Sequence, residues 1–133
     1  MSDTKKELEE MCKDIAERLG LFASGYVYDN EEGKMVDKDD IENEDGDYDE
    51  ERYEDLYQYL FEDNLGIKIL TSIDGSDYFG AEICVAWGGP NIYIETRDSY
   101  VRGYWGSDRV EYPISYYARD MIDDKIDELR SCY

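Results

Sequence analysis

The chain has 133 residues, with 35 acidic and 14 basic side chains and no histidine, for a formal net charge of -21. The lack of histidine excludes Ser-His-Asp and Cys-His nucleophilic sites and histidine-based acid–base catalysis. The charge repels nucleic acid, anionic membranes and phosphorylated substrates and attracts basic surfaces, while 41% hydrophobic and 14% aromatic residues still suffice for one packed core.

In chain order, Thr4–Glu7 has the T-x-x-E pattern of a capping box. Leu8, Met11, Cys12, Ile15, Ala16 and Leu19 follow at helical spacing, so a helix is predicted that stops at Gly20. Leu21–Asp29 is short, apolar and aromatic, and reads as a strand or an extended arm. Residues 30–48 are polar and acidic and are predicted to form a loop with a mobile part. A second helix is expected to begin near Asp49, with Tyr53, Leu56, Tyr57, Leu60 and Phe61 as its apolar stripe. Asp49, Glu50 and Glu51 would sit at its positive end, and Asn64–Gly66 would close it.

The middle of the chain changes character. IKILTSI (Ile67–Ile73), GAEICVAW (Gly80–Trp87), NIYIETR (Asn91–Arg97) and SYVRGYW (Ser99–Trp105) are β-branched or aromatic runs separated by turn residues, so they predict an antiparallel meander. Arg109–Tyr112 adds a fifth, edge strand, and Gly103 with Gly106 suggests a bulge or strand end near Trp105. Pro113 fits the first position of a last helix, whose apolar face runs from Ile114 through Ala118 and Ile122 to Leu129. The expected fold is α+β: a four- to five-stranded antiparallel sheet with N-terminal, middle and C-terminal helices packed on it, as a single domain over residues 1–133.

No apolar run approaches the roughly 20 residues needed to cross a bilayer, and the N-terminus lacks a signal-peptide core, so a cytoplasmic location is expected. Cys12, Cys84 and Cys132 form no CxxC pair and read as free thiols of a reducing compartment.

Four chemistries lack the residue pattern they require. In a calcium loop with Gly46 at its sixth position, Ile41 would be first and Arg52 twelfth, and the registers on Gly33 and Gly75 start at Tyr28 and Leu70; all three lack the required oxygen ligands. A carboxylate pair for hydrolysis has no distinguishing signal among 35 acids. Gly88–Asn91 lacks the GxxxxGK[ST] context of a phosphate loop and reads as a turn. Arg97, Arg102, Arg109, Arg119 and Lys68 are outnumbered by neighbouring acids, which argues against nucleic-acid binding and for pairing with those acids. No enzyme activity, cofactor or metal is therefore expected.

The acidity itself is the candidate site. Asp29–Asp63 carries seventeen acids against Lys34, Lys38 and Arg52, far beyond the net charge of about 2–8 that solubility requires of a small domain. Carboxylates two to four residues apart on a helix rising about 1.5 Å per residue approach the linear charge density of duplex DNA, about one charge per 1.7 Å. The predicted partner-binding array is Asp37, Asp39, Asp40, Glu42, Glu44, Asp45, Asp47, Asp49, Glu50, Glu51, Glu54 and Asp55, with Tyr48 as its aromatic contact. The partner would be a basic protein surface, with no direct contact to nucleic acid or membrane.

In size, charge and aromatic content the chain resembles the DNA-mimic anti-CRISPR and antirestriction proteins of phages and mobile elements. CVAWGGPNIYIETRDSYVRGYWGSDR (Cys84–Arg109) also looks like a stretch recurring in small proteins of Gram-positive mobile elements. The resemblance implies an inhibitor acting in the host cell on the basic DNA- or RNA-binding groove of a defence nuclease, a Cas9-type effector or a restriction enzyme. The competing readings are a protein- or ligand-binding module using Trp87, Tyr93, Tyr104 and Trp105 on a sheet face, and adaptation to high salt.

Overall fold

The computed structural model describes residues 3–41, 49, 51–62 and 65–131. Among them the first helix, α1 (Asp3–Ala23), buries Leu8, Cys12, Ala16, Leu19 and Phe22 along one stripe. It runs through Gly20 instead of stopping there. A glycine inside a helix costs about 1 kcal/mol against alanine, whereas fully burying a phenylalanine returns roughly 1.5–3 kcal/mol, and Phe22 is only 4% exposed. The helix ends three residues later, where Gly25 takes a φ of 94° and its N–H bonds the Phe22 carbonyl.

A strand follows α1 within Leu21–Asp29, one of the two readings of that segment, and a second strand replaces the first part of the expected loop. β1 (Tyr26–Asp29) pairs antiparallel with β2 (Lys34–Asp37), Val27 opposite Val36. The turn between them closes on a bond from the Gly33 N–H to the Asp29 carbonyl, with Gly33 at a φ of 69°. A 3-10 turn at Lys38–Asp40 follows, and the two-residue strand β3 (Tyr53–Glu54) adds to the other side of β1. The sheet order is β2-β1-β3.

β3 also overturns most of the expected middle helix. What survives is a helical step at Leu56–Tyr57 running into a π-helical turn at Gln58–Glu62. Its N-terminal end is held by a reciprocal pair, Gln58 N–H to Asp55 Oδ1 and Asp55 N–H to Gln58 Oε1, both 2.9 Å. Leu56 and Leu60 are buried as the stripe requires, but Tyr57 is exposed and Tyr53 lies in a strand.

The meander is present in full. β4 (Gly66–Thr71), β5 (Tyr78–Ala86), β6 (Asn91–Glu95), β7 (Tyr100–Trp105) and β8 (Asp108–Pro113) form one antiparallel sheet in sequence order. Its inner face places Ile83 opposite Ile94 and Ile94 opposite Val101, all fully buried. α1 crosses β7 and β8, and a second helix, α2 (Tyr116–Arg130), contacts α1 and β5. Of the two readings of Gly103 and Gly106, the strand end holds, since β7 stops at Trp105, and Gly103 itself marks a close approach. A Cβ there would stand 2.7 Å from both Cys12 Sγ and Leu8 Cδ1, so only glycine lets α1 settle on β7.

Pro113 closes β8 instead of opening α2. The cap of α2 is Ser115, whose side chain accepts from the Ala118 N–H. Two further bonds tie α2 to the β4–β5 hairpin: Tyr78 donates to Asp123 at 2.6 Å, and Arg130 donates to the Gly75 carbonyl at 2.6 Å. Cys12 and Cys84 are free thiols, and burial pushes that of Cys12 up to about 11; Cys132 lies outside the described residues. No helix among the described residues is long and apolar enough to cross a membrane.

Candidate acidic interface

The small sheet hangs on one ion pair between a buried carboxylate and a half-buried arginine. Asp29, at the end of β1, is 2% exposed. Its carboxylate accepts from Arg52 Nε at 3.1 Å and a terminal Arg52 nitrogen at 3.0 Å. It also caps the hairpin turn, accepting from the N–H groups of Glu31 and Glu32. Arg52 reaches Glu31 as well, at 3.0 Å, and lies against the Tyr53 ring. The Arg52 hydrogen bonds hold the Asp29 carboxyl below its ordinary value, against the opposing effect of burial. They in turn raise that of Arg52. Since the Asn30 N–H also bonds the Arg52 carbonyl at 2.9 Å, the pair and its backbone fix β3 beside β1.

The predicted array divides into three groups around this anchor. Asp39, Asp40, Asp49 and Glu51 are exposed, as the array requires. Asp37, Glu54 and Asp55 are half-buried. Asp37 Oδ1 accepts from the Asp39 N–H and caps the 3-10 turn, while Asp55 is committed to Gln58. These last residues shape the backbone more than they face a partner. Asp49 does both, with Oδ1 accepting from the Glu51 N–H at 3.0 Å and its carbonyl accepting from Arg52 and Tyr53. Glu42, Glu44, Asp45, Asp47, Tyr48 and Glu50 lie outside the described residues.

Sequence reasoning passed over Asp29 and Arg52, the pair on which the arrangement depends. A signal was present in DNEEG: an aspartate followed by a glycine four residues on is the pattern of a side-chain-capped turn. Glu31 and Glu32, exposed on that turn, add two carboxylates to the same sheet. Among the described residues no three Cys, Asp or Glu side chains gather as a group able to hold a metal.

The aromatic residues of the competing reading separate. Tyr93 and Tyr104 meet edge to face at 6.2 Å on the helix-free side of the large sheet. Trp105 packs toward the core cluster. On the helix-free side a shallow groove of about 570 Å³ runs among Leu65, Gly66, Lys68, Cys84, Trp87 and Tyr93, with Trp87 69% exposed. Further along that face Arg102 is surrounded by Glu95, Asp98 and Glu111, and Arg109 and Arg119 pair with Glu111 and Asp120. These three arginines are engaged with acids, as their local sequence implied.

Comparison of the chain with protein-family models, curated proteins and solved structures found no match.

Proposed function

We propose that this chain is a non-enzymatic inhibitor that presents its acidic small sheet to the basic nucleic-acid-binding groove of a host defence nuclease. One observation carries the reading: Arg52 is engaged with Asp29 and Glu31, while Asp39 and Asp40 on the 3-10 turn after β2 and Asp49 and Glu51 just before β3 are exposed. Besides Arg52, only Lys34 and Lys38 stand against the seventeen acids of Asp29–Asp63 in sequence, so the region is strongly negative. Backbone bonds to Asp37 and Asp49 limit how far these carboxylates move, which lowers the ordering cost of docking. A basic groove meeting this surface gains ion pairs and releases the counterions it would release to DNA.

The test is inhibition of purified CRISPR effectors and restriction enzymes by the native chain and by a variant with Asp39, Asp40 and Asp45 changed to Asn and Glu42 and Glu51 to Gln. The native chain is expected to inhibit at least one nuclease, in competition with its DNA and more weakly as salt rises. The variant is expected to fold and to lose inhibition. Equal potency of the two proteins overturns the proposal.

A second reading, a binding module on the sheet face, is favoured by the groove beside the exposed Trp87. It is distinguished by Trp87→Ala, which would abolish binding while the acidic variant retained it.

A further inference from the structure

The two edges of the large sheet are built differently. β8 follows the usual defences of an exposed edge, with Asp108, Arg109, Glu111 and Pro113 in six residues. β4 has only Lys68. In a chain of charge -21, the nine residues Leu65–Ile73 contain no carboxylate. Among the described residues no strand pairs with the outer side of β4.

The same segment is the most exposed apolar run described. Leu65 is 61% exposed, Ile67 38%, Ile69 45%, Leu70 43% and Ile73 109%. Together they expose the equivalent of about three whole side chains, on the order of 400 Å² of apolar surface. A standard protein interface covers about 800 Å² per partner, of which somewhat over half is apolar. The exposed apolar surface of Leu65–Ile73 is thus close to the apolar share of one side of such an interface, with the backbone groups of the open β4 strand still to be added. The Arg130–Gly75 and Tyr78–Asp123 bonds brace the β4–β5 hairpin against α2, so the edge is held in place before any partner arrives.

We infer that two copies of this chain pair antiparallel through β4, joining their five-stranded sheets into one of ten strands. Opposed residues on antiparallel strands share a face, and a two-fold axis beside Ile69 sets Ile69 against Ile69 and Lys68 against Leu70. The axis one residue earlier would set Lys68 against Lys68, a like-charge pair directly opposite, which is unfavourable. The first register is therefore the one assigned. The interface is apolar while the remainder of each copy is strongly negative, so salt strengthens this association by screening the repulsion of the two bodies. That is opposite to its effect on the proposed nuclease binding, and the two proposals can fail separately.

Sedimentation equilibrium of the full chain tests the inference in about 0.05 and 0.5 M salt. The expected result is a dimer whose dissociation constant falls by about tenfold or more at the higher salt. Ile69→Lys is expected to give a monomer with an unchanged circular dichroism spectrum. In a background of Cys84→Ser and Cys132→Ser, Ile69→Cys is expected to cross-link on mild oxidation, since opposed antiparallel residues lie about 4.5–5.5 Å apart, within disulfide range. A monomer at about 100 μM protein in high salt overturns the inference, as does a dimer that survives Ile69→Lys. If Ile69→Lys unfolds, the cross-link decides: absence of the Ile69→Cys disulfide overturns the assignment.

Discussion

The two sheets of this protein are held by different forces. The five-stranded sheet rests on Ile83, Ile92, Ile94 and Val101, each fully buried beneath α1 and α2. The three-stranded sheet buries Val27 and the Asp29 carboxylate, and depends on Arg52 to close it. Apolar burial is indifferent to pH and strengthened by excluded salts. A hydrogen-bonded ion pair depends on the charge of both partners. The contrast allows the acidic region to respond to conditions that leave the scaffold unchanged.

Substitution in the scaffold has the largest expected effect. Ile94→Ala removes a fully buried side chain and is expected to cost roughly 2–5 kcal/mol in urea denaturation, lowering protection from amide exchange in both sheets. Arg52→Ala is expected to act on one sheet alone. It leaves Asp29 buried without its cation, so amides of β1 and β2 should exchange about tenfold faster or more while those of β6 and β7 keep their rates. Equal loss in both sheets would show that they unfold as one unit.

Acid is expected to move the two sheets in opposite directions. Asp29 has a depressed pKa, so its stabilisation is complete above the ordinary carboxylate range and is lost as pH falls through the lowered value. Glu95, on the large sheet, is raised by burial despite the opposing Arg102. Its folded state binds the proton more tightly than the unfolded chain, so protonation as pH falls through the raised value favours folding. Hydrogen-exchange NMR during acidification should show Val27 and Val36 losing protection while Ile94 and Val101 retain it. The smallest effect is expected at the cap of α2: Ser115→Ala should cost about 1 kcal/mol of global stability, with the acid response of β1 and β2 unaltered.

The parts legible in the sequence are those with strong local periodicity. The meander shows β-branched runs broken by Asp74-Gly75, Gly88-Gly89-Pro90 and Arg97-Asp98-Ser99, and its strands fall between those turns. α1 and α2 show continuous apolar stripes. The errors have physical causes. Residues 53–61 carry helical spacing, but Arg52 commits the chain to Asp29 and draws Tyr53–Glu54 into a strand before the helix begins. The second strand of the β1–β2 hairpin was hidden by its charges, because KMVD is too short for its alternation to stand out against the acidic run. Gly20 and Pro113 carried the right local preference at positions where burial of Phe22 and the Ser115 cap prevailed.

For the acidic site, the sequence by itself determined the sign of the field and its concentration in one quarter of the chain, because charge is a property of composition and order. It also determined the meander and the two long helices, since local periodicity and turn chemistry suffice for them. Only the tertiary structure decided that Arg52 folds inward to Asp29, that Asp37 and Asp55 serve the backbone while Asp39 and Asp40 face outward, and that β4 is left as a bare apolar edge. The Asp29–Arg52 pair joins residues far apart in the chain, of which linear spacing holds no record, while the Asp37 and Asp55 caps are local bonds that depend on the backbone the tertiary fold imposes.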